Sequence, residues 1–250
     1  MPFTRPRHWL RWLIGGVAAL VVLAVAGPFL YIHFFNGSAP AALSLSPSGS
    51  TSASASVSAS APAAAGTAAS GPVAGNWTVG SGSVVGYRVN EVLLGQNATA
   101  VGRSSSVTGH LTIAGTTATA ASFSVPMDTI HSDKSQRDDQ FDGRIMDVAQ
   151  YPTGTFALTS PVDLAPLPAV GEVKTYTAHG RLTLHGTTRA VTVTLTAERS
   201  AAKTGGSQIK VSGNIPVLFS DYNISNPSFA GFVTTQDHGL LEFLLVFSRS

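Results

Sequence analysis

The chain has 250 residues, with 15 Lys and Arg, 13 Asp and Glu, and no cysteine. The lack of cysteine excludes disulfides, thiolate metal sites, a lipidated cysteine and a cysteine nucleophile. The pI near 9.1 does not indicate nucleic-acid binding, because three of the basic residues lie within the first eleven positions and the remainder form no basic stripe with interleaved aromatic residues.

Residues 13–35 are predicted to form a transmembrane helix that acts as a signal anchor. The run contains no Asp, Glu, Lys or Arg, and 23 helical residues reach about 34 Å, enough to cross a hydrocarbon core of about 30 Å. The arginines within residues 1–12 place this basic N-terminus in the cytoplasm and the remainder outside the cell membrane. A cleaved signal peptide is the alternative, with Ala39-Pro40-Ala41 as its processing site. Its apolar region would exceed the usual length of about 7–15 residues.

Residues 36–75 are predicted to be a disordered linker. From Ser38 to Gly75 the chain consists almost entirely of Ala, Ser, Gly, Thr and Pro, and it carries no charge. Such a composition buries too little apolar surface to offset the entropy lost on ordering. The linker would therefore connect the anchor to a folded domain at residues 76–250.

The folded domain is predicted to be all-β. Apolar and polar residues alternate in about eight short segments separated by Gly, Pro, Asn and Ser, which indicates an antiparallel barrel or sandwich. The clearest segment is a β-hairpin within His179–Thr196, where Leu182, Leu184, Val191 and Val193 share the inward face. His179 and His185 are predicted to lie on its outward, polar face.

One short helix interrupts this pattern between Ser135 and Val148. Phe141, Ile145 and Val148 have helical spacing, Ser135 is a candidate N-cap, and Tyr151-Pro152 ends the run. In an all-β domain, such a helix packs over the barrel or closes one of its ends.

The order and spacing of several motifs resemble the YceI-like family of lipocalin-like barrels, over about residues 77–247. The motifs are Arg137-Asp138, Phe141, Ile145-Met146-Asp147, Tyr151-Pro152, Phe156, Gly180-x-Leu182-Thr183-x-x-Gly186-Thr187-Thr188, Val191 and Phe219-Ser220-Asp221-Tyr222. The resemblance implies an antiparallel eight-stranded lipocalin-like β-barrel with one short helix and a long apolar interior that holds polyisoprenoid or similar lipid chains.

Apolar alternation alone does not separate a packed core from a ligand-lined lumen, and the resemblance favours the lumen. The expected lining is Tyr87, Phe123, Val125, Phe156, Leu158, Leu182, Leu184, Val191, Val193, Phe219, Phe243 and Leu245. The expected structural motif is Arg137, Asp138, Phe141, Tyr151 and Pro152.

Catalysis has weaker support in the sequence. The acidic cluster around His131 and Asp133 matches no metal-binding motif and is typical of a solvated helix start. We therefore expect a membrane-tethered, non-enzymatic protein with no cofactor or metal, and with an isoprenoid, quinone or other long-chain lipid as its ligand. The alternative is a surface or stress-related interaction module whose barrel is packed solid.

Overall fold

The computed structural model describes residues 39–45, 73–93, 95–201, 206–228 and 233–249. The predicted N-terminus at residues 1–12 and the predicted transmembrane helix at 13–35 lie outside these ranges, as does most of the predicted linker. Within the described ranges, no helix has the length and apolar character needed to span a bilayer.

The described chain forms one antiparallel sheet that closes into a barrel. Its strands are β1 (Gly75–Val79), β2 (Val84–Leu93), β3 (Gln96–Ser104), β4 (Thr108–Ala114), β5 (Thr117–Pro126), β6 (Thr153–Leu158), β7 (Val162–Asp163), β8 (Val173–Leu184), β9 (Thr187–Ala201), β10 (Ser207–Leu218), β11 (Val233–Thr235) and β12 (His238–Arg249).

The ring has eight positions. Strands β1 and β2 occupy one position, because both pair with β12, and β3 and β4 occupy the next. The order then continues through β5, β6, β8, β9, β10 and β12, and the β12–β1 pairing closes the ring. The predicted antiparallel eight-stranded barrel is thus confirmed. The short strands β7 and β11 extend its rims beside β5 and β2.

The hairpin between β8 and β9 shows how local sequence sets the register. Its connection is only two residues long, His185 and Gly186, and both have positive φ, at 47° and 69°. Positive φ at both central residues defines a type I′ turn, whose twist matches that of the strands it joins. Leu182, Leu184 and Val193 are consequently buried on the inner face.

The predicted position of His185 on the outward strand face is wrong. Strand β8 ends at Leu184, so His185 belongs to the turn. Its ring is half-buried and lies edge-on to Tyr151, with 4.5 Å between the ring centroids. His179 is exposed on the outer face, as predicted. The tight two-residue turn is what separates the environments of the two histidines.

The predicted short helix is present but differs in its details. Helix α1 spans Ser135–Gln140 and continues as a π-helical turn over Phe141–Ile145. The N-cap is Lys134 and not Ser135. Val148 lies beyond the helical segment, which is followed by turns that lead to Tyr151. Shorter 3₁₀ turns cover Met127–Thr129 and Phe219–Tyr222.

Strand β12 is apolar on both faces, and other segments of the chain cover its outer face. The Ser83 hydroxyl lies in the turn between β1 and β2 and accepts a hydrogen bond from the Val246 amide at 2.9 Å. Residues 39–45, which belong to the predicted linker, also contact the outer wall. Helix α1 lies elsewhere, at one end of the barrel.

Candidate ligand-binding cavity

The barrel encloses an apolar cavity of about 620 Å³ at the end where α1 lies. Ligand pockets in proteins commonly have volumes of roughly 300–1,000 Å³. Strands β2, β3, β5, β8 and β10 contribute buried apolar side chains to its wall. Half of the predicted lining residues lie here, namely Tyr87, Phe123, Val125, Leu182, Leu184 and Phe219.

Helix α1 and its π-helical turn cross the mouth of this cavity. Of the lining residues, Gln136, Gln140 and Arg144 are exposed to solvent, whereas Phe141 and Met146 are buried and lie inside. The segment therefore presents its apolar side to the cavity and its polar side to water. Of the two predicted placements of the helix, over the barrel or across one end, the structure has the second.

Two arginines fasten this segment to the rim of the mouth. Arg137 forms an ion pair with Glu91 of β2 at 3.4 Å and with Asp133 at 2.6 Å. Arg144 donates hydrogen bonds to the carbonyl oxygens of Asn226 and Pro227, at 3.4 and 3.3 Å. Arg137 of α1 and Arg144 of the π-helical turn thus attach both parts of the helical segment to the barrel.

Tyr87 and Phe141 form the aromatic contact between the barrel and the helical segment. Their rings are stacked with 5.1 Å between the centroids and 17° between the planes. Burial raises the pKa of the Tyr87 hydroxyl to about 12, although the positive charge of nearby Arg137 acts in the opposite direction. A neutral phenol is therefore maintained beside the cavity throughout the physiological pH range.

A smaller apolar cavity of about 120 Å³ occupies the other end of the barrel. Phe123 lies between the two spaces and contacts two further rings of the smaller cavity: it is stacked on Phe156 at 5.4 Å and tilted against Phe243 at 5.6 Å. We call Phe123, Phe156 and Phe243 the aromatic partition. Phe123 borders both cavities.

The remaining predicted lining residues lie mainly at this second cavity. Its wall includes the predicted residues Phe156, Leu158, Val193, Phe243 and Leu245. Val191 is half-buried and packs against the core, but it borders neither cavity. The structure thus brings the predicted residues into one apolar interior but divides them between two spaces. Their contact with a ligand stays a prediction.

Several buried apolar residues of the large cavity are not among the predicted lining residues. Ala100 belongs to β3, a strand whose small residues give only a weak apolar pattern in the sequence. Others come from connections rather than strands. The unpredicted buried apolar residues are Val85, Ala100, Met127, Ile130, Met146, Val217 and Ile224.

The predicted structural motif supports the mouth of the barrel. Asp138 accepts a hydrogen bond from the Ser132 amide at 2.8 Å, which fixes the loop before α1. Pro152 accepts one through its carbonyl from the Met127 amide, also at 2.8 Å. The ring of Tyr151 lies over Gly186, where a Cβ atom would be less than 3.0 Å away. These contacts join the helical segment, β5 and the β8–β9 turn.

The acidic cluster lies on the outer surface. The side chain of His131 is 66% exposed and that of Asp133 is 52% exposed. His131 Nδ1 lies 3.6 Å from Asp138 Oδ2. Within the described ranges, no group of three or more His, Cys, Asp or Glu side chains is arranged to bind a metal ion. The arrangement is that of a solvated loop that precedes a helix.

A closed antiparallel barrel with an apolar interior cavity and a helix across one end defines a lipocalin-like barrel. The family model of the YceI-like domain matches residues 77–247. The chain therefore belongs to the YceI-like domain family, as its sequence motifs indicate. A search of curated proteins finds no match.

Solved structures of similar fold come from several bacteria. A polyisoprenoid binding domain from Saccharophagus degradans, implicated in plant cell wall breakdown, is 17% identical, with 70% of this chain and 98% of that chain covered and a TM-score of 0.57. BcnA of Burkholderia cenocepacia is 20% identical, with 64% and 95% covered and a TM-score of 0.47. The YceI protein of Campylobacter jejuni is 12% identical, with 60% and 84% covered and a TM-score of 0.46. At these identities the likeness concerns the fold.

Proposed function

We propose that this protein is a membrane-tethered, extracytoplasmic lipid-binding protein that holds an isoprenoid, a quinone or another long-chain apolar ligand in its barrel. The observation that carries this proposal is the apolar cavity of about 620 Å³ inside the closed barrel. Each CH₂-sized group that leaves water contributes about 0.8 kcal/mol. A chain that fills the cavity would therefore bind without any specific polar contact.

The polar mouth favours an amphiphile over a pure hydrocarbon. Gln136, Arg137, Gln140 and Arg144 border the opening, whereas the deeper wall is apolar. A ligand with its tail inside would keep its polar end among these side chains and in water. This arrangement matches the division between the headgroup and the tail of a membrane lipid.

Family membership supports the same proposal. The similar domain from Saccharophagus degradans is described as a polyisoprenoid binding domain, and this chain has an apolar cavity inside the same fold. The cavity also argues against the alternative of an interaction module with a solidly packed barrel. No catalytic role is proposed, because the His131 cluster is exposed and lies outside the cavity.

The proposed location depends on the sequence of residues 1–35. The charge-free run at 13–35 has the length of a membrane span, and the arginines before it favour a cytoplasmic N-terminus. The barrel would then lie outside the cell membrane, close to a supply of lipid. Flotation of the full chain with vesicles tests the anchor separately from ligand binding.

The lipid proposal is tested by mass spectrometry of organic extracts from gently purified protein, followed by titration with isoprenoid quinones. Ala100 borders the cavity and is 5% exposed, so Ala100→Phe is expected to displace the ligand. Ala190 is exposed on β9, so Ala190→Phe is the matched control. Wild-type protein that carries no lipid and binds no added quinone would overturn the proposal.

A further inference from the structure

The outer wall of the barrel carries a buried ionic group. Glu242 of β12 is directed outward, because its neighbours Leu241 and Phe243 border the interior cavities, yet it is only 3% exposed. Arg88 Nε donates to Glu242 Oε1 at 2.7 Å, and Arg103 forms an ion pair with Oε2. A buried carboxylate is tolerated when it is paired in this way. Something must nevertheless cover the pair from solvent.

Residues 39–45, which we call the strap, lie over this group. Arg88 Nη2 donates a hydrogen bond to the Pro40 carbonyl at 2.6 Å, and Arg103 Nη2 donates one to the Ala41 carbonyl at 3.4 Å. The same guanidinium groups thus bind Glu242 on one side and the strap backbone on the other. A guanidinium carries five N–H donors, so it can form both sets of contacts.

A third contact fixes the other end of the strap. Ser212 of β10 is 3% exposed, and its hydroxyl donates a hydrogen bond to the Leu43 carbonyl at 3.1 Å. The three donors lie on β2, β3 and β10, so the strap crosses the outer face of β12 between them. All three recognise backbone carbonyl groups of the strap.

The side chains of the strap alternate between half-buried and exposed positions. Leu43 and Leu45 are half-buried, whereas Ala42 and Ser44 are exposed. An extended segment turns successive side chains to opposite sides, so the two leucines face the barrel together. Large apolar residues are scarce in this part of the chain. Their placement at alternate positions is the sequence feature that distinguishes the strap from the rest of the linker.

We propose that the strap is a second attachment point, which holds the outer wall of β2, β3 and β12 next to the membrane anchor; this inference rests on the anchor proposed above. Phe35 and Ala39 are four residues apart, which spans at most about 14 Å. Residues 36–75 fully extended would reach about 140 Å. The strap therefore converts a long tether into a short one that gives the barrel a fixed orientation.

The orientation is measurable by energy transfer. The chain has no cysteine, so single cysteines can be labelled without background. Asn90 is exposed on β2 beside the strap, and Thr177 is exposed on β8, on the opposite side of the ring. Full-length Asn90→Cys and Thr177→Cys proteins carrying a donor dye are reconstituted in phosphatidylcholine–phosphatidylglycerol vesicles that contain a headgroup-labelled acceptor. Energy transfer is expected to be at least twofold more efficient from residue 90.

Matched substitutions within the strap test whether the strap causes the difference in energy transfer. Leu43→Gln with Leu45→Gln is expected to abolish the difference between the two dye positions. Ala42→Gln with Ser44→Gln, at the exposed positions of the same segment, is expected to retain it. Thermal melts show whether each variant is folded. If the leucine double variant does not fold, Ser212→Ala provides a second test and should reduce the difference between the two dye positions.

The possible results distinguish failure of the strap proposal from failure of the anchor proposal. If wild-type protein floats with vesicles but shows equal energy transfer from residues 90 and 177, the strap proposal is overturned and the anchor proposal stands. A difference that survives the Leu43 and Leu45 substitutions would also overturn it. Protein that fails to float would overturn the anchor and, with it, this role of the strap, but would leave lipid binding in the barrel unaffected.

Discussion

The ring of Phe156 lies over Gly180 of the neighbouring strand β8, so closely that a Cβ atom at residue 180 would come less than 3.0 Å from two ring carbons. The backbone of Gly180 has an ordinary negative-φ or extended conformation, so its role is to leave space for the ring. The ring of Phe243 likewise lies against Gly213 of β10, whereas Gly109 of β4 lies beside the Cα and Cβ atoms of Phe123.

Replacement of Gly180 by alanine is expected to destabilise the barrel by about 1–3 kcal/mol, the usual cost of overpacking a core. The added methyl group would meet both the Phe156 ring and the Ala157 carbonyl, at 2.8 Å from the latter, so neither neighbour can move freely. Urea unfolding followed by circular dichroism measures the change. Gly143→Ala is the control, because a methyl group there would meet no atom within 4 Å outside its own helical segment; equal losses for the two variants would contradict the steric explanation.

Replacement of Phe123 by leucine is expected to connect the two cavities, since Phe123 borders both. The variant should lose about 1–3 kcal/mol of stability, because a smaller side chain leaves a cavity in the core, and it should gain affinity for longer isoprenoid chains relative to short ones. Competition binding with a series of isoprenols of increasing length measures this preference. Phe219→Leu is the matched control, because Phe219 borders the large cavity alone. An unchanged length preference in the Phe123 variant would show that the partition does not limit the ligand.

Replacement of Arg144 by alanine is expected to accelerate ligand release about fivefold. The change removes the two hydrogen bonds to the Asn226 and Pro227 carbonyls, which together are worth about 1 kcal/mol at their lengths of 3.4 and 3.3 Å. Stopped-flow displacement of a fluorescent fatty acid gives the rate. Arg181→Ala, at an exposed position on β8, should leave the rate unchanged. Equal rates in both variants would mean that the helical segment does not control the mouth.

Alkaline pH is expected to destabilise the protein through Tyr87. Its pKa is about 12 in the folded protein and near 10 when the chain is unfolded. The unfolded chain therefore loses this proton first, so the free energy of unfolding falls as the pH rises from about 10 to about 12, by at most about 1.4 kcal/mol per unit of pKa difference. Burial also raises the pKa of Tyr176 and Tyr222, so the comparison with Tyr87→Phe isolates this residue. Urea unfolding at pH 9 and pH 11 should show a smaller loss for the variant, and identical losses would contradict the assignment.

Much of the fold is predictable because period-2 alternation is a local property. The β8–β9 hairpin, the long strand β12 and the helical interruption are all visible in the sequence. Strand β3 is not, because Ala98, Ala100 and Gly102 leave its inner face without large apolar residues. The small residues make room for the Tyr87 ring, which would come less than 3.0 Å from a Cβ atom at residue 102.

The sequence predicts which residues face the interior of the barrel, but not how that interior is divided into two cavities. Alternation identifies Phe123, Phe156 and Phe243 as inward residues, yet it contains no information about which rings touch across the barrel. That depends on the stagger between strands, which is set by the closed ring as a whole. Gly186 marks the hairpin connection in the sequence, but only its two-residue length in the structure shows that His185 belongs to the turn and not to the strand.

By itself, the sequence determined that the domain is an antiparallel barrel or sandwich with apolar residues on one strand face and one short helix, because those features follow from the spacing of side chains along the backbone; the choice of a barrel came from the resemblance to the YceI-like family. It likewise determined that residues 13–35 have the length and composition of a membrane span. Only the tertiary structure decided that the interior is a cavity divided by three rings, and that Arg88 and Arg103 bind both Glu242 and the strap. These features join residues far apart in the chain, so they exist only once the barrel has closed.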